Sequence, residues 1–315
     1  MIVTIIGAGG VGGYLGMRLL QAGHDVRFVV RGRTREALRA RGLHVTTPAG
    51  PVTIASVTAS DSASELGASD LVVVTVKNYD LDAVAPSLAP LLAKHTALLP
   101  LQNGVDAYDI LATALGHELI LKGTVSIKSH VEAPGVIVCK SPFCRIKLGP
   151  GNPGGANAAN SAVSLLNSAI GVEASLSPDI DRDLWMKFVM LASFSAVSCM
   201  ARATIGQVHS NPQTYATVVK AAEEAAGVGR ALGIDLPADM EKVVYTQIAD
   251  MPKDGRPSML EDLEAGRRLE LPWLSGAVVR LGTAAKVPTP IHALANALLS
   301  IHAQGNAGNS SAMSR

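Results

Sequence analysis

The chain has 315 residues, of which 48% are hydrophobic and 17% charged, which is enough for one large or two ordinary buried domains. Its 27 Lys and Arg nearly balance its 26 Asp and Glu, so no basic excess predicts nucleic-acid binding. Three cysteines without a C-x-x-C pair predict neither a metal site nor a disulfide framework. No signal peptide and no membrane span is visible, so we expect a soluble cytoplasmic protein.

A glycine-rich turn follows a short apolar run, Met1–Ile6, and precedes a helical pattern over residues 14–20. Strand, glycine turn and helix in this order are typical of a dinucleotide-binding site; the alternative is a purely structural turn. The first glycine permits the tight turn, the second lets the backbone approach a pyrophosphate, and the third lets the helix pack closely. The residues predicted to bind the cofactor are Gly7-Ala8-Gly9-Gly10-Val11-Gly12.

The end of the second predicted strand, Asp25–Val30, indicates which dinucleotide binds. An acidic residue there is typical of NAD, because it binds the ribose 2′-hydroxyl. This chain instead has Arg31-Gly32-Arg33-Thr34-Arg35. Because guanidinium groups pair with phosphate in a two-pronged geometry, we predict NADPH, with Arg31 as the first contact to the 2′-phosphate. The alternative is a solvated, positively charged loop.

Two further predicted strands, Leu71–Val76 and Thr96–Leu101, end in polar residues. Ligands of open α/β sheets lie beyond the carboxyl ends of the strands, so Lys77 is placed to meet the cofactor. At the end of the other strand, the amide of Asn103 is placed to hold a ribose hydroxyl or a substrate carbonyl. The alternatives are a solvated lysine and an Asn-Gly turn with no other role.

The remaining pattern predicts an α/β N-terminal half and an all-α C-terminal half. Residues 42–55 resemble a hairpin insertion, and later strand signals up to Leu148 are expected to finish the same sheet. From about Ser177 onward only helical runs follow, which marks a domain change. We therefore expect a Rossmann-type dinucleotide-binding domain at 1–175, a helical domain at 176–304 and a flexible tail at 305–315. The apolar helical half is compatible with a homodimer.

One predicted helix, Asp183–Ala201, carries a single charge between Leu184 and Met200, which is Lys187. A lone ammonium in such a buried helix must find a partner or lose its proton. Desolvation would lower its pKa toward neutrality, which suits a general acid. The alternative is a lysine whose ammonium reaches solvent from an early helical turn.

A second polar segment lies near the C-terminal end. Ser258 and Glu261 have the S-x-x-E spacing of a capping box, and a helix N-terminus also offers N–H groups to a carboxylate. Glu270 stands among apolar residues just before the next helix, so it is either a helix cap or a partner for a buried cation.

Taken together, these motifs resemble the ketopantoate reductase family (2-dehydropantoate 2-reductases) over nearly the whole chain. The matching segments are Arg31, Lys77, Gln102-Asn103-Gly104, Leu184-Trp185-Met186-Lys187, Ser258-Met259-Leu260-Glu261-Asp262 and Glu270. The resemblance implies reduction of 2-dehydropantoate to (R)-pantoate by NADPH, a step toward coenzyme A. It also implies that Lys187 is the general acid and that Glu270 orients the lysine and binds substrate and cofactor. Asn103 would position cofactor and substrate, and Ser258 would contact the substrate carboxylate.

The chain departs from the family pattern on the substrate side. Asparagines are usual at four positions that are Leu191, Ser195, Ile205 and Gly255 here. Losing hydrogen-bonding amides should weaken discrimination between substrates. A relative that reduces another 2-keto acid or ketone is therefore one alternative, and a β-hydroxyacid dehydrogenase is another. A third, from a different class, is a protein that senses NADPH without turnover.

Overall fold

The computed structural model describes residues 1–249 and 251–306, and the predicted tail falls largely outside them. The chain forms two compact units. The first comprises residues 1–102 and 106–180, and the second comprises residues 103–105 together with the chain from residue 181 on. The predicted domain boundaries stay a prediction.

Twelve strands belong to the first unit. In chain order they are β1 (Ile2–Ile6), β2 (Asp25–Val29), β3 (Leu43–Thr47), β4 (Gly50–Ile54), β5 (Thr58–Ser60), β6 (Leu71–Val74), β7 (Ala97–Pro100), β8 (Leu121–Ser126), β9 (Ser129–Ala133), β10 (Val136–Cys139), β11 (Cys144–Pro150) and β12 (Val172–Leu176).

The helices are α1 (Gly10–Gln21), α2 (Gly32–Arg41), α3 (Asn78–Val84), α4 (Ala107–Leu115), α5 (Ala156–Asn167), α6 (Ile180–Ala201), α7 (Ile205–Ser210), α8 (Pro212–Ala231), α9 (Met240–Ala249), α10 (Ser258–Glu264), α11 (Ser275–Ala285) and α12 (Pro290–Leu299).

A five-stranded parallel sheet of order β5-β2-β1-β6-β7 forms the centre of the first unit. Both faces of this sheet are covered. In β6, Leu71 and Val73 pack into one hydrophobic cluster while Val72 and Val74 pack into another. This double burial explains why β6 is continuously apolar, as the sequence predicts. The α/β fold with a parallel sheet is thus confirmed.

The later strands do not finish this sheet, contrary to the prediction. They form a four-stranded sheet, β4-β3-β10-β9, and a three-stranded sheet, β12-β11-β8. The predicted hairpin supplies the reason, since β3 pairs antiparallel with β4 and offers its other edge to β10. Beyond β7 the ladder continues only as the single bridge between Leu98 and Ile120 among the described residues.

The second unit is helical, as predicted. Its core forms around α6, where Trp185, Phe188 and Val189 join a cluster with residues of α8 such as Val218. Although α6 is long and apolar enough to cross a membrane, 67% of its most apolar window is buried, as expected of a core helix in a soluble protein.

Helices α2 and α4 of the first unit were not predicted from the sequence, and in the second unit neither was the short α7. It begins after Thr204, whose hydroxyl accepts a hydrogen bond from the N–H of Gln207 while the Gln207 side chain accepts one from the N–H of Thr204. This reciprocal capping box stabilises a single short helix.

Candidate active site

The glycine turn forms the start of α1 as predicted from the sequence. Gly7 has φ +95°, which an L side chain rarely adopts, and follows β1 directly. A Cβ on Gly9 would meet no described atom within 4 Å, so the turn is open where a ligand approaches. A Cβ on Gly12 would overlap the carbonyl oxygen of Gly7 and the hydroxyl of Thr75. The positive φ of Gly7, the open space at Gly9 and the close packing at Gly12 are the geometry expected of a dinucleotide fingerprint.

Helix α1 presents unpaired N–H groups at this turn. Its N-cap residue is Gly9, which has no side chain to accept a hydrogen bond from these N–H groups, and the first turn contains no acidic residue. The N–H groups of the first turn have no intrahelical partner, and the helix dipole favours an anion beside them. A pyrophosphate therefore fits this end of α1.

Two residues that sequence analysis missed stabilise the turn. The Thr75 hydroxyl contacts the carbonyl oxygens of Gly7 at 2.7 Å and Ile6 at 3.0 Å, which ties the end of β6 to the turn. Ser129 lies over Gly10, where a Cβ would stand 2.6 Å from the Ser129 carbonyl oxygen. A threonine after an apolar strand gives a weak signal, and nothing in the local pattern around Ser129 indicates this contact.

The arginines after β2 do not form a loop, because Gly32 begins α2 and Arg31 is its N-cap residue. Arg35 forms an ion pair with Asp61. Arg31 and Arg33 are exposed, and neither has an ion-pair partner within the described residues. Two guanidinium groups and the N-terminus of α2 thus lie together at the end of β2, which is a suitable environment for a phosphate.

The side-chain amide of Gln102 joins the ends of β6 and β7 next to the glycine turn. Gln102 is 7% exposed, and its Nε2 donates to the carbonyl oxygens of Val74 and Val76, both at 3.2 Å. Lys77 follows Val76 and precedes α3, half-buried at the carboxyl end of β6. A Cβ on Gly7 would lie 3.1 Å from the backbone nitrogen of Val76, so Val76 lies beside the glycine turn. Lys77 is the next residue along the chain and is therefore close to the turn as well.

Asn103 follows Gln102 directly but belongs to the second unit. A Cβ on Gly104 would be 2.9 Å from the carbonyl oxygen of Trp273, so the chain passes close to the turn that follows Glu270. Val105 packs against the hydrophobic core of the second unit. The structure thus brings the Asn103 segment and the Glu270 turn together, although 167 residues separate them in the sequence.

Glu270 is a buried carboxylate, 4% exposed. It precedes a short 3-10 turn, Leu271–Trp273, and makes no side-chain cap bond to it. Of the two sequence interpretations, the helix cap is therefore excluded. Lys187 lies in the same unit, half-buried in the first half of α6 between the fully or nearly buried Trp185 and Phe188.

The second half of α6 faces acidic residues. The pKa of the Cys199 thiol is raised to about 12, mainly by burial, while the charge of Arg202 lowers it and the charges of Glu264 and Asp262 raise it. Cys199 therefore stays protonated and unreactive at neutral pH. Cys199 of α6 also shares a hydrophobic cluster with Met259 and Leu260 of α10, so the two helices are close within the second unit.

The capping box predicted at Ser258 and Glu261 is wrong. Pro257 is the N-cap residue of α10, and Ser258 is the first helical residue, with an exposed side chain. Because the helix begins one residue before the predicted position, the Ser258 hydroxyl makes no cap bond to the first turn. A proline at the N-cap supplies no side-chain acceptor.

The four positions without asparagine also lie in the second unit. Leu191 is half-buried one helical turn after Lys187, and Ser195 is fully buried a turn further on. The N–H of Ile205 donates to the carbonyl oxygen of Gly255 at 2.9 Å, and a Cβ on Gly255 would lie 3.1 Å from the Ile205 side chain. These last two positions are thus joined through the backbone, and neither has a side chain that can form a hydrogen bond.

Two family models match the chain. Residues 3–153 match the model described as ketopantoate reductase PanE/ApbA, and residues 179–303 match the model of its C-terminal part. A 2-dehydropantoate 2-reductase of Mesorhizobium japonicum is 31% identical over 92% of this chain and 94% of its own.

Solved structures agree with the sequence matches. A PanE/ApbA family ketopantoate reductase from Ralstonia eutropha has a TM-score of 0.85 at 29% identity, covering 96% of this chain and 98% of its own. A 2-dehydropantoate 2-reductase from Geobacter metallireducens has a TM-score of 0.88 at 26% identity, covering 95% of this chain and 99% of its own.

The fold and the glycine turn define an oxidoreductase that uses a nicotinamide dinucleotide. Within that class, the two matched models together cover most of the chain and show which family it is. The chain belongs to the ketopantoate reductase PanE/ApbA family.

Proposed function

We propose that this protein reduces a 2-keto acid with NADPH, and that 2-dehydropantoate, reduced to (R)-pantoate, is its substrate. The observation that carries this proposal is the composition of the second unit. An apolar helix there supplies one ammonium, Lys187, and a buried carboxylate, Glu270, precedes a turn that contacts the Asn103 segment. A proton donor and a charged partner for it are what carbonyl reduction requires of the protein.

NADPH rather than NADH is supported by the residues at the start of α2. Arg31 and Arg33 are exposed and unpaired within the described chain, whereas Arg35 is engaged by Asp61. The residues that would hold the pyrophosphate are Gly7, Ala8, Gly9, Gly10, Val11 and Gly12. Lys77, Asn103 and Glu270 would contact the rest of the cofactor.

The cofactor, when bound, supplies a hydride from nicotinamide C4 to the carbonyl carbon. Lys187 donates a proton to the carbonyl oxygen as negative charge develops there, which stabilises the alkoxide-like transition state. Glu270 favours the ammonium form of Lys187, because a nearby carboxylate stabilises the charged acid. Asn103 and Ser258 hold the substrate, with the hydroxyl of Ser258 on the carboxylate.

A second candidate function is the reduction of a 2-keto acid with an apolar side chain. Leu191, half-buried one turn from Lys187, and the contact between Ile205 and Gly255 favour it. These residues offer no hydrogen bond to a substrate hydroxyl. A cytoplasmic location and a homodimer stay predictions.

The test is NADPH oxidation with a matched pair of substrates, 2-dehydropantoate and 3,3-dimethyl-2-oxobutanoate, which lacks only its hydroxyl group. A site that binds the hydroxyl through hydrogen bonds rejects the analogue by about 10⁴-fold in kcat/KM. Strong preference for 2-dehydropantoate supports the first proposal, and preference for the analogue supports the second. Tight NADPH binding with no turnover on either, or on a wider panel of 2-keto acids, would favour a cofactor sensor.

A further inference from the structure

The C-terminal end of the described chain lies against the segment that leads to Glu270. The N–H of Leu269 donates to the carbonyl oxygen of Ala303 at 2.9 Å, and the N–H of Asn306 donates to that of Gly266, also at 2.9 Å. Residues 303–306 are thus hydrogen-bonded to residues 266–269. We call residues 303–306 the C-terminal clasp.

The clasp approaches this segment too closely for side chains to separate them. A Cβ on Gly305 would lie 2.6 Å from the Gly266 carbonyl oxygen and 2.8 Å from the carbonyl carbon of Arg267. A Cβ on Gly266 would overlap the Asn306 side chain, with its Cγ only 2.5 Å away. Because a Cβ on Gly305 meets backbone atoms, a substituent there must displace one segment from the other, whereas a Cβ on Gly266 meets only the Asn306 side chain, which can turn aside.

Helix α10 holds the same segment from its other end. Gly266 follows the helix with φ +65°, its N–H bonds to the carbonyl oxygen of Leu263, and the N–H of Arg267 bonds to that of Asp262. These two bonds are those of a Schellman motif. The Arg267 guanidinium also pairs with the Asp262 carboxylate at 2.7 Å. The backbone before Glu270 is thus restrained by α10 and by the clasp.

We propose that the C-terminal clasp positions the Glu270 carboxylate for the reduction, an inference that rests on the proposed function. Gly305 and Asn306 act through Glu270 and are positioning residues. Because Glu270 is buried, its carboxylate cannot adjust freely when its backbone moves. A displacement of about 1 Å in an active-site group costs about 100-fold in rate, which sets the scale of the expected effect.

The experiment uses Gly305→Ala, with Gly233→Ala as the matched control. Gly305 has φ +69° and Gly233 has φ +86°, and no described atom lies within 4 Å of the Cβ position of Gly233. Both variants therefore place a side chain at positive φ, and only Gly305→Ala meets the backbone of residues 266–268.

We expect Gly305→Ala to lower kcat by about 10- to 100-fold, because the Glu270 carboxylate is displaced, while Gly233→Ala stays near wild type. Gly266→Ala, whose Cβ meets only the Asn306 side chain, should have a smaller effect than Gly305→Ala. In Gly305→Ala the basic limb of the kcat–pH profile should move to lower pH, since a displaced carboxylate no longer favours the Lys187 ammonium.

Equal kcat in Gly305→Ala and Gly233→Ala would overturn the inference while the proposed function stands. A fall in kcat with an unchanged pH profile would also overturn it, since it would indicate a general structural defect. Absence of turnover by the wild type on every 2-keto acid would instead overturn the proposed function, and the inference with it.

Discussion

The proposed nucleotide-binding turn is formed by neighbouring residues of the chain. The proposed catalytic part of the second unit is formed by segments that lie far apart in the sequence. The turn needs six consecutive residues, Gly7–Gly12, and few partners beyond them, such as Thr75. The catalytic part combines four segments, namely residues 103–105, α6, the stretch from Ser258 to Trp273, and the clasp.

The two regions therefore differ in how they depend on side chains. The proposed phosphate contacts of the turn are made by backbone N–H groups, so they depend on the three glycines rather than on particular side chains. The substrate side depends on side chains from several helices, and each can be exchanged separately. Leu191 and Ile205 in place of the asparagines usual in the family illustrate this freedom.

The largest effect is expected from Lys187→Ala, which should impair catalysis and leave cofactor binding unchanged. Loss of a general acid should lower kcat by about 10²- to 10⁴-fold, while the dissociation constant of NADPH stays near wild type. Steady-state kinetics and fluorescence titration of NADPH measure the two quantities. Unchanged turnover would remove Lys187 from the mechanism.

A second variant pair tests the glycine roles within the turn. Gly12→Ala overlaps the Gly7 carbonyl oxygen and should cost about 1–3 kcal/mol of stability or more, together with most NADPH affinity. Gly9→Ala meets no described atom, so it should fold like wild type and weaken NADPH alone. Thermal unfolding and NADPH titration distinguish them, and equal stability of the two variants would contradict these roles.

Acidification should destabilise the second unit through His292, which is fully buried on α12. Its Nε2 faces the carbonyl oxygen of Ala221 at 3.0 Å and so carries the proton, which leaves Nδ1 to accept from the Ser275 hydroxyl at 3.2 Å. Burial lowers the pKa of His292 from 6.5 to about 4.

Between these values the unfolded chain binds a proton that the folded chain does not, so stability falls as pH drops from 6.5 toward 4. The expected loss is about 3 kcal/mol at most. Burial raises the pKa of Glu224, which opposes part of this loss near the acidic end. Urea unfolding at several pH values measures this loss in the free energy of unfolding. In His292→Gln, which keeps a donor to Ala221, the loss should shrink; an unchanged pH dependence would contradict this assignment.

The smallest effect concerns the choice of cofactor. Arg31→Ala should weaken NADPH by about 10- to 100-fold through the loss of one charge-assisted contact, and NADH far less. Arg35→Ala is the matched control, because Arg35 is already paired with Asp61. Equal weakening of NADPH and NADH by Arg31→Ala would remove the case for recognition of the 2′-phosphate.

Much of the fold was predictable because its signals are local. The continuous apolar run of β6, the hairpin of β3 and β4, and the change to helices after β12 follow from periodicity and turn residues. The division of the remaining strands into two separate sheets was not predictable, since strand pairing depends on which edges are available in three dimensions.

The same contrast holds for the candidate site. The error at Ser258 came from a local pattern that fits two helix starts one residue apart, and the structure selects the start after Pro257. The helix-cap interpretation of Glu270 was wrong for a similar reason. The sequence around Glu270 fits a helix cap and a buried carboxylate equally well, and the structure has a buried carboxylate that makes no cap bond.

By itself, the sequence determined the dinucleotide turn, the apolar helix with its single ammonium, and the family, because each depends on residues adjacent in the chain or at helical spacing. Only the tertiary structure decided that the Asn103 segment approaches the Glu270 turn and that the C-terminal clasp restrains residues 266–269. It also decided that Arg35 pairs with Asp61, while Arg31 and Arg33 have no ion-pair partner among the described residues. Such contacts join segments far apart in sequence, and their energies depend on the whole packed unit rather than on any local pattern.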